Sequence, residues 1–103
     1  MNVIIKATNL SLTAEMENFV REKVLAIEKF YPKIIEARVE VEYAEHQSQG
    51  NIYRCEVNLS IPGKLIRVEK TTSDFQKSVN KVKDHLKVVL VKEHDKKLQR
   101  RKG

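Results

Sequence analysis

At 103 residues and 12.0 kDa the chain has the length of one domain. A composition of 41% hydrophobic and 33% charged residues excludes a disordered polymer, and the longest aliphatic run, Val88-Val89-Leu90-Val91, falls far short of the ~20 residues of a membrane span. Cys55 is the single cysteine, which excludes an internal disulfide or a thiolate metal cluster, and Met1 to Lys6 does not read as a signal peptide, so the expectation is a cytoplasmic protein.

Val3 to Thr8 reads as a first strand, broken by Asn9-Leu10-Ser11-Leu12. Thr13 suits an N-cap, and Glu15 and Glu17 follow where the helix dipole favours carboxylates. Met16, Phe19, Val20, Val24, Ile27, Phe30 and Tyr31 recur at helical spacing, which predicts an amphipathic helix over 14–31 ended by Pro32. Ala37, Val39, Val41 and Tyr43 alternate with charged residues and predict a half-buried strand. A polar loop follows at His46 to Gly50, and Tyr53 to Ile61 alternates in the same way. Pro62-Gly63 fits the centre of a type II turn, with Leu65 to Thr71 as the returning arm. Ser73 and Gln76 stand at capping-box spacing. Phe75, Val79, Val82, Leu86, Val89 and Leu90 make the stripe of a second helix, predicted to run to about residue 93. Beyond it, 95–103 reads as a basic, flexible tail on a single domain over 1–94.

The order is β-α-β-β-β-α. The fold class is α+β, a four-stranded mixed sheet whose first two strands are parallel, with both helices packed on one face because each has one apolar stripe to bury. The other face carries Arg38, Glu40, Glu42, Arg54, Glu56, Arg67 and Glu69, a mixture that suits a solvated surface.

Charge is distributed unevenly. Residues 1–72 hold ten basic and ten acidic side chains, whereas 73–103 hold ten basic and four acidic ones, which accounts for the net +6. Such asymmetry points towards a polyanion. At 100° per residue, Lys77, Lys81, His85, Val88 and Lys92 form one ridge along the second helix. Cations one turn apart match a phosphate backbone, and they also match plain solubility. Lys23 falls inside the apolar range of the first helix, so it either snorkels at the helix edge or enters the groove between the helices near that ridge. Tyr43 and Tyr53 fall on the apolar phase of their strands, so a base-stacking platform on the sheet is not expected. Leu25, Val88 and Val91 fall outside the apolar stripes and offer an alternative protein contact. No histidine pairs with another His or with Cys55 at metal-ligand spacing, and no glycine-rich loop follows a strand. An enzyme, a metal, a cofactor and a small-molecule substrate are therefore not expected.

Phe19-Val20 and Lys23, then Ile27-Glu28-Lys29-Phe30-Tyr31, then Asp74, Phe75, Ser78-Val79-Asn80, Leu86, Leu90 and Lys92, in this element order, resemble the ribosome hibernation-promoting factors, also called ribosome-associated inhibitors or sigma modulation proteins. The resemblance runs from Met1 to about Lys97. It implies a fold like a double-stranded-RNA-binding domain with an extra leading strand. It also implies a partner, the 16S rRNA of the small ribosomal subunit near the decoding centre, where such proteins block mRNA and tRNA in stationary phase or stress. The residues it assigns to RNA are Lys23 and Lys92, which match family lysines. His85 and Val88 stand where lysine and arginine are usual, and Lys77, Lys81 and the tail residue Lys96 supply further charge. The chain resembles the short form, which implies either a helper factor for ribosome pairing or action on single ribosomes. A general double-stranded-RNA binder and a protein-interaction module remain alternatives.

Overall fold

The computed structural model describes residues 1–44, 50 and 52–102, with side chains as far as Leu98. The elements are β1 (Asn2–Thr8), α1 (Ala14–Leu25), a 3-10 turn (Ala26–Lys29), β2 (Glu36–Tyr43), β3 (Tyr53–Ile61), β4 (Lys64–Thr72) and α2 (Phe75–Lys102). One sheet runs in the order β1-β2-β3-β4, with β1 parallel to β2 and the other pairs antiparallel. This is the expected α+β architecture. The loop expected at His46 to Gly50 lies, apart from Gly50, outside the described residues.

The period-two residues build the core face. Ala37, Val39 and Val41 from β2, Cys55, Val57, Leu59 and Ile61 from β3, and Ile66 and Val68 from β4 are all buried. They meet Val20, Val24 and Ile27 from the first helical segment and Phe75, Val79, Val82, Leu86 and Leu90 from α2. Both helices cover this one face, α1 against β1 and α2 against β3 and β4.

Local chemistry sets the ends. Asn9, the only non-glycine residue at positive φ among those described (54°), turns the chain out of β1. Thr13 Oγ1 accepts from the Met16 amide at 3.1 Å, as its N-cap role requires. Gly63 has φ 76°, the left-handed geometry that a type II turn needs at its third position.

Three boundaries differ from the sequence reading. The first helix is α-helical only to Leu25 and then tightens into the 3-10 turn, with the Phe30 amide donating to Ile27 O at 2.9 Å and Tyr31 to Glu28 O at 3.2 Å. Pro32 disfavours helical geometry at Tyr31, so the last turn narrows instead of continuing. The cap of α2 is Asp74 and not Ser73: Asp74 Oδ1 accepts from the Gln76 amide at 3.1 Å. Thr72 holds that cap, since its hydroxyl accepts from the Asp74 amide at 3.2 Å and lies 2.7 Å from the buried Ser78 hydroxyl. Ser78 in turn donates to Tyr53 O at 2.7 Å, so no buried polar group here goes unpaired. The third difference is the length of α2. It continues to Lys102, past the expected end near 93. Residues 95–102 contain neither Gly nor Pro and are rich in strong helix formers. The tail is also anchored: His94 meets the Tyr31 ring edge-on at 6.2 Å, and Lys97 Nζ sits 5.8 Å from its centroid.

The open face of the sheet is a charge lattice. Register places Glu40, Glu56 and Glu69 side by side across β2, β3 and β4, a row that would repel itself. Arg54 crosses it, bonding Glu42 at 2.7 Å and also Glu40, with Glu56 at 3.5 Å. Arg67 bridges Glu56 and Glu69 at 2.6 and 2.7 Å. Burial works against the Arg54 charge, but the bonds to Glu42 and Glu40 outweigh it and hold its pKa above the ordinary value. The Thr8 hydroxyl, which donates to Glu40 at 2.7 Å, and then Arg54 lower the Glu40 pKa.

Two outcomes are expected. Leu86 is fully buried, so Leu86→Ala lowers the urea-unfolding free energy by about 2–5 kcal/mol. Glu40 is depressed in the folded state, so its stabilisation is present above the ordinary carboxylate value of 4.5 and is lost as pH falls below that. Thermal melts at pH 6 and pH 3 should differ less in Glu40→Gln than in the wild type.

Candidate nucleic-acid interface

Rotation of α2 is fixed by its buried stripe, and this decides where its cations point. Lys77, Lys81, His85 and Lys92 are all exposed, on the ridge that helical spacing gives them. Among the described residues none forms an ion pair with these four. Val88 stands on the same ridge and is 52% exposed. Lys96 continues the ridge but is 3.7 Å from Glu93, which also holds Lys64 from the start of β4. The Lys64 ammonium, then Lys96, keep the Glu93 carboxyl below its ordinary value. Lys96 is thus a partly neutralised member of the set. The side chains of Arg100, Arg101 and Lys102 lie outside the described residues.

The two helices lie side by side in the same direction. At one end the Phe19 ring from α1 is 6.2 Å from Phe75 at the start of α2. At the other, Lys87 Nζ is 5.2 Å from the centroid of Phe30. Lys23 lies between these contacts, on the flank of α1 that also presents Phe19. It is half-buried, with Nζ 5.4 Å from the Phe19 centroid. Its ammonium thus lies over a ring of its own helix one turn back, a contact that both readings of Lys23 allow. The flank of α2 opposite is the one carrying Lys83 and Lys87, one turn apart, rather than the outer ridge. Beside the ridge, the helical layer therefore carries Lys87 and Lys29 at Phe30, with Lys83 one turn before Lys87 and Lys23 over Phe19.

Lys83, Lys87 and the aromatic rings of the groove escaped the sequence reading. For the rings, the available signal was the i, i+4 spacing of Phe19 and Lys23, at which a lysine stem lies over a ring. It was masked because Phe19, like Phe30, fits the core stripe. The exposed aliphatics Leu25, Val88 and Val91 are 39%, 52% and 40% accessible.

The open sheet face contrasts with this layer. Its arginines are committed to glutamates, and it has no line of free cations among the described residues. Among the described residues, the line of cations without carboxylate partners that an extended polyanion would need lies on the helical side.

Residues 3–98 match the family model described as sigma 54 modulation protein / S30EA ribosomal protein. The chain belongs to this family. It is 30% identical over 78 residues to the ribosome hibernation promotion factor of Deinococcus radiodurans, an alignment covering 76% of this chain and 41% of that protein. The chain thus spans less than half the length of that relative. Among solved structures it is similar to the N-terminal domain of Protein Y from Thermus thermophilus, with a TM-score of 0.75 at 22% identity, covering 89% of this chain and 98% of that one. It is also similar to a ribosomal subunit interface protein from Coxiella burnetii, with a TM-score of 0.80 at 15% identity, covering 92% and 99%. These two likenesses establish the fold.

The remaining chemistry-bearing side chain is Cys55. It is 1% exposed, and burial pushes its thiol up to about 12. Iodoacetamide at pH 8 should leave native protein unmodified and alkylate Cys55 only after denaturation, as followed by mass spectrometry.

Proposed function

We propose that this chain is a ribosome-associated hibernation factor that lays its helical layer on 16S rRNA of the small subunit near the decoding centre. Bound there it excludes mRNA and tRNA by occupying their path, without catalysis, in cytoplasm under stress or in stationary phase. The observation that carries this reading is the one-sided charge. Lys77, Lys81, His85 and Lys92 stand exposed on α2, with Lys23 half-buried over Phe19 on α1, in a chain of the S30EA family. The relatives' names, ribosome hibernation promotion factor and ribosomal subunit interface protein, agree in pointing to the ribosome. A single ridge of lysines reads no base sequence, so it suits a site recognised by backbone shape and charge.

The test is sedimentation of stationary-phase lysate through a sucrose gradient. Wild-type protein should travel with ribosomes, and Lys23→Glu/Lys81→Glu/Lys92→Glu should stay at the top. A position heavier than single ribosomes would add ribosome pairing, with or without a helper factor. Wild-type protein at the top of the gradient would overturn the reading. With purified small subunits, log affinity should fall steeply with log salt, and Lys23→Gln/Lys81→Gln/Lys92→Gln should flatten the slope by about 2–3. Equal affinity for any RNA duplex would instead favour a general double-stranded-RNA binder.

A further inference from the structure

The groove between the helices ends in a feature that charge alone does not use. Phe30 closes an open recess of about 270 Å³ lined by Lys29, Val91, His94 and Asp95. Its ring is half-buried and carries two ammonium groups, Lys29 Nζ and Lys87 Nζ, each 5.2 Å from the centroid. Lysine-over-ring contacts at half-exposed sites are weak and exchangeable. Either ammonium can move to a phosphate while the ring takes a flat apolar surface in its place. Val91, 40% exposed, supplies an apolar wall, and His94 a polar edge.

A π-face next to two cations, on a surface already lined with lysines, is the arrangement by which proteins hold an unpaired nucleotide. The base stacks on the ring and its phosphates meet the ammonium groups. Peptide anchors also enter apolar recesses, but Lys29 and Lys87 outnumber Asp95 here, and that charge favours a polyanion.

From this geometry we infer that Phe30 is a stacking site for one unpaired RNA base, with Lys29 and Lys87 as its phosphate partners. This rests on the proposed binding to ribosomal RNA and names a contact within it. Its specificity differs from that of the ridge, because it requires an extruded base and not merely a backbone.

The experiment is chemical probing of purified small ribosomal subunits with wild type, Phe30→Leu and Phe30→Trp. Leucine keeps most of the apolar packing and removes the π-face, whereas tryptophan keeps both. One unpaired base should be protected by wild type and by Phe30→Trp and become reactive again with Phe30→Leu, while the other protections persist. Phe30→Leu should bind about 5- to 100-fold more weakly with an unchanged salt slope. Identical protection by wild type and Phe30→Leu, with affinities within twofold, overturns the stacking site but leaves the ribosomal reading intact. Equal weakening by Phe30→Leu and Phe30→Trp assigns the ring a packing role and also overturns it. If wild type protects nothing, the ribosomal reading and the stacking site fall together.

Discussion

The burial of α2 against β3 and β4 is the contact on which the rest of the molecule depends. Val79, Val82, Leu86 and Leu90 are nearly inaccessible to solvent, and full burial of such side chains stabilises by roughly 1.5–3 kcal/mol each. That seam fixes more than stability. It sets the rotation of a 28-residue helix, so every cation on it has an assigned direction. Lys77, Lys81 and Lys92 are turned to solvent, and Lys83 and Lys87 towards α1. Rotating α2 by one residue would put lysines into the core and dissolve the ridge.

Much of this was legible in the residue pattern, and for a plain reason. The strands are half-buried, so alternation such as Ala37, Val39, Val41 against Arg38, Glu40, Glu42 encodes both the element and its buried face. The sites that were not legible depend on contacts between distant segments. Nothing local in 94–102 announces a helix anchored at its side. The anchors are Tyr31, which meets His94 and Lys97, and Lys64, which meets Glu93. The shift of the cap from Ser73 to Asp74 has the same origin, because Thr72 is held by Ser78 beneath it. Ser78 is itself a polar residue in the apolar phase, tolerated because Tyr53 O accepts its proton.

The candidate interface divides along the same line. A ridge on one helix is a property of one segment, and spacing alone located Lys77, Lys81, His85 and Lys92. The groove is shared between two segments, and its members became a set only when Phe19 met Phe75 and Phe30 met Lys87. Lys23 was visible as an anomaly because a lysine in an apolar phase needs somewhere to go. Lys83 and Lys87 looked ordinary because their stripe gives no such signal.

The row of Glu40, Glu56 and Glu69 has an effect beyond its own strands. On the sheet side the carboxylates are held by arginines, whereas on the helical side Lys77, Lys81 and Lys92 have no carboxylate partner among the described residues. An anion reaching the sheet face would have to displace a glutamate from its arginine before it could bind, and one reaching the helical ridge would not. By occupying Arg54 and Arg67, the glutamates thereby keep the sheet face from competing with the helical face for an anion.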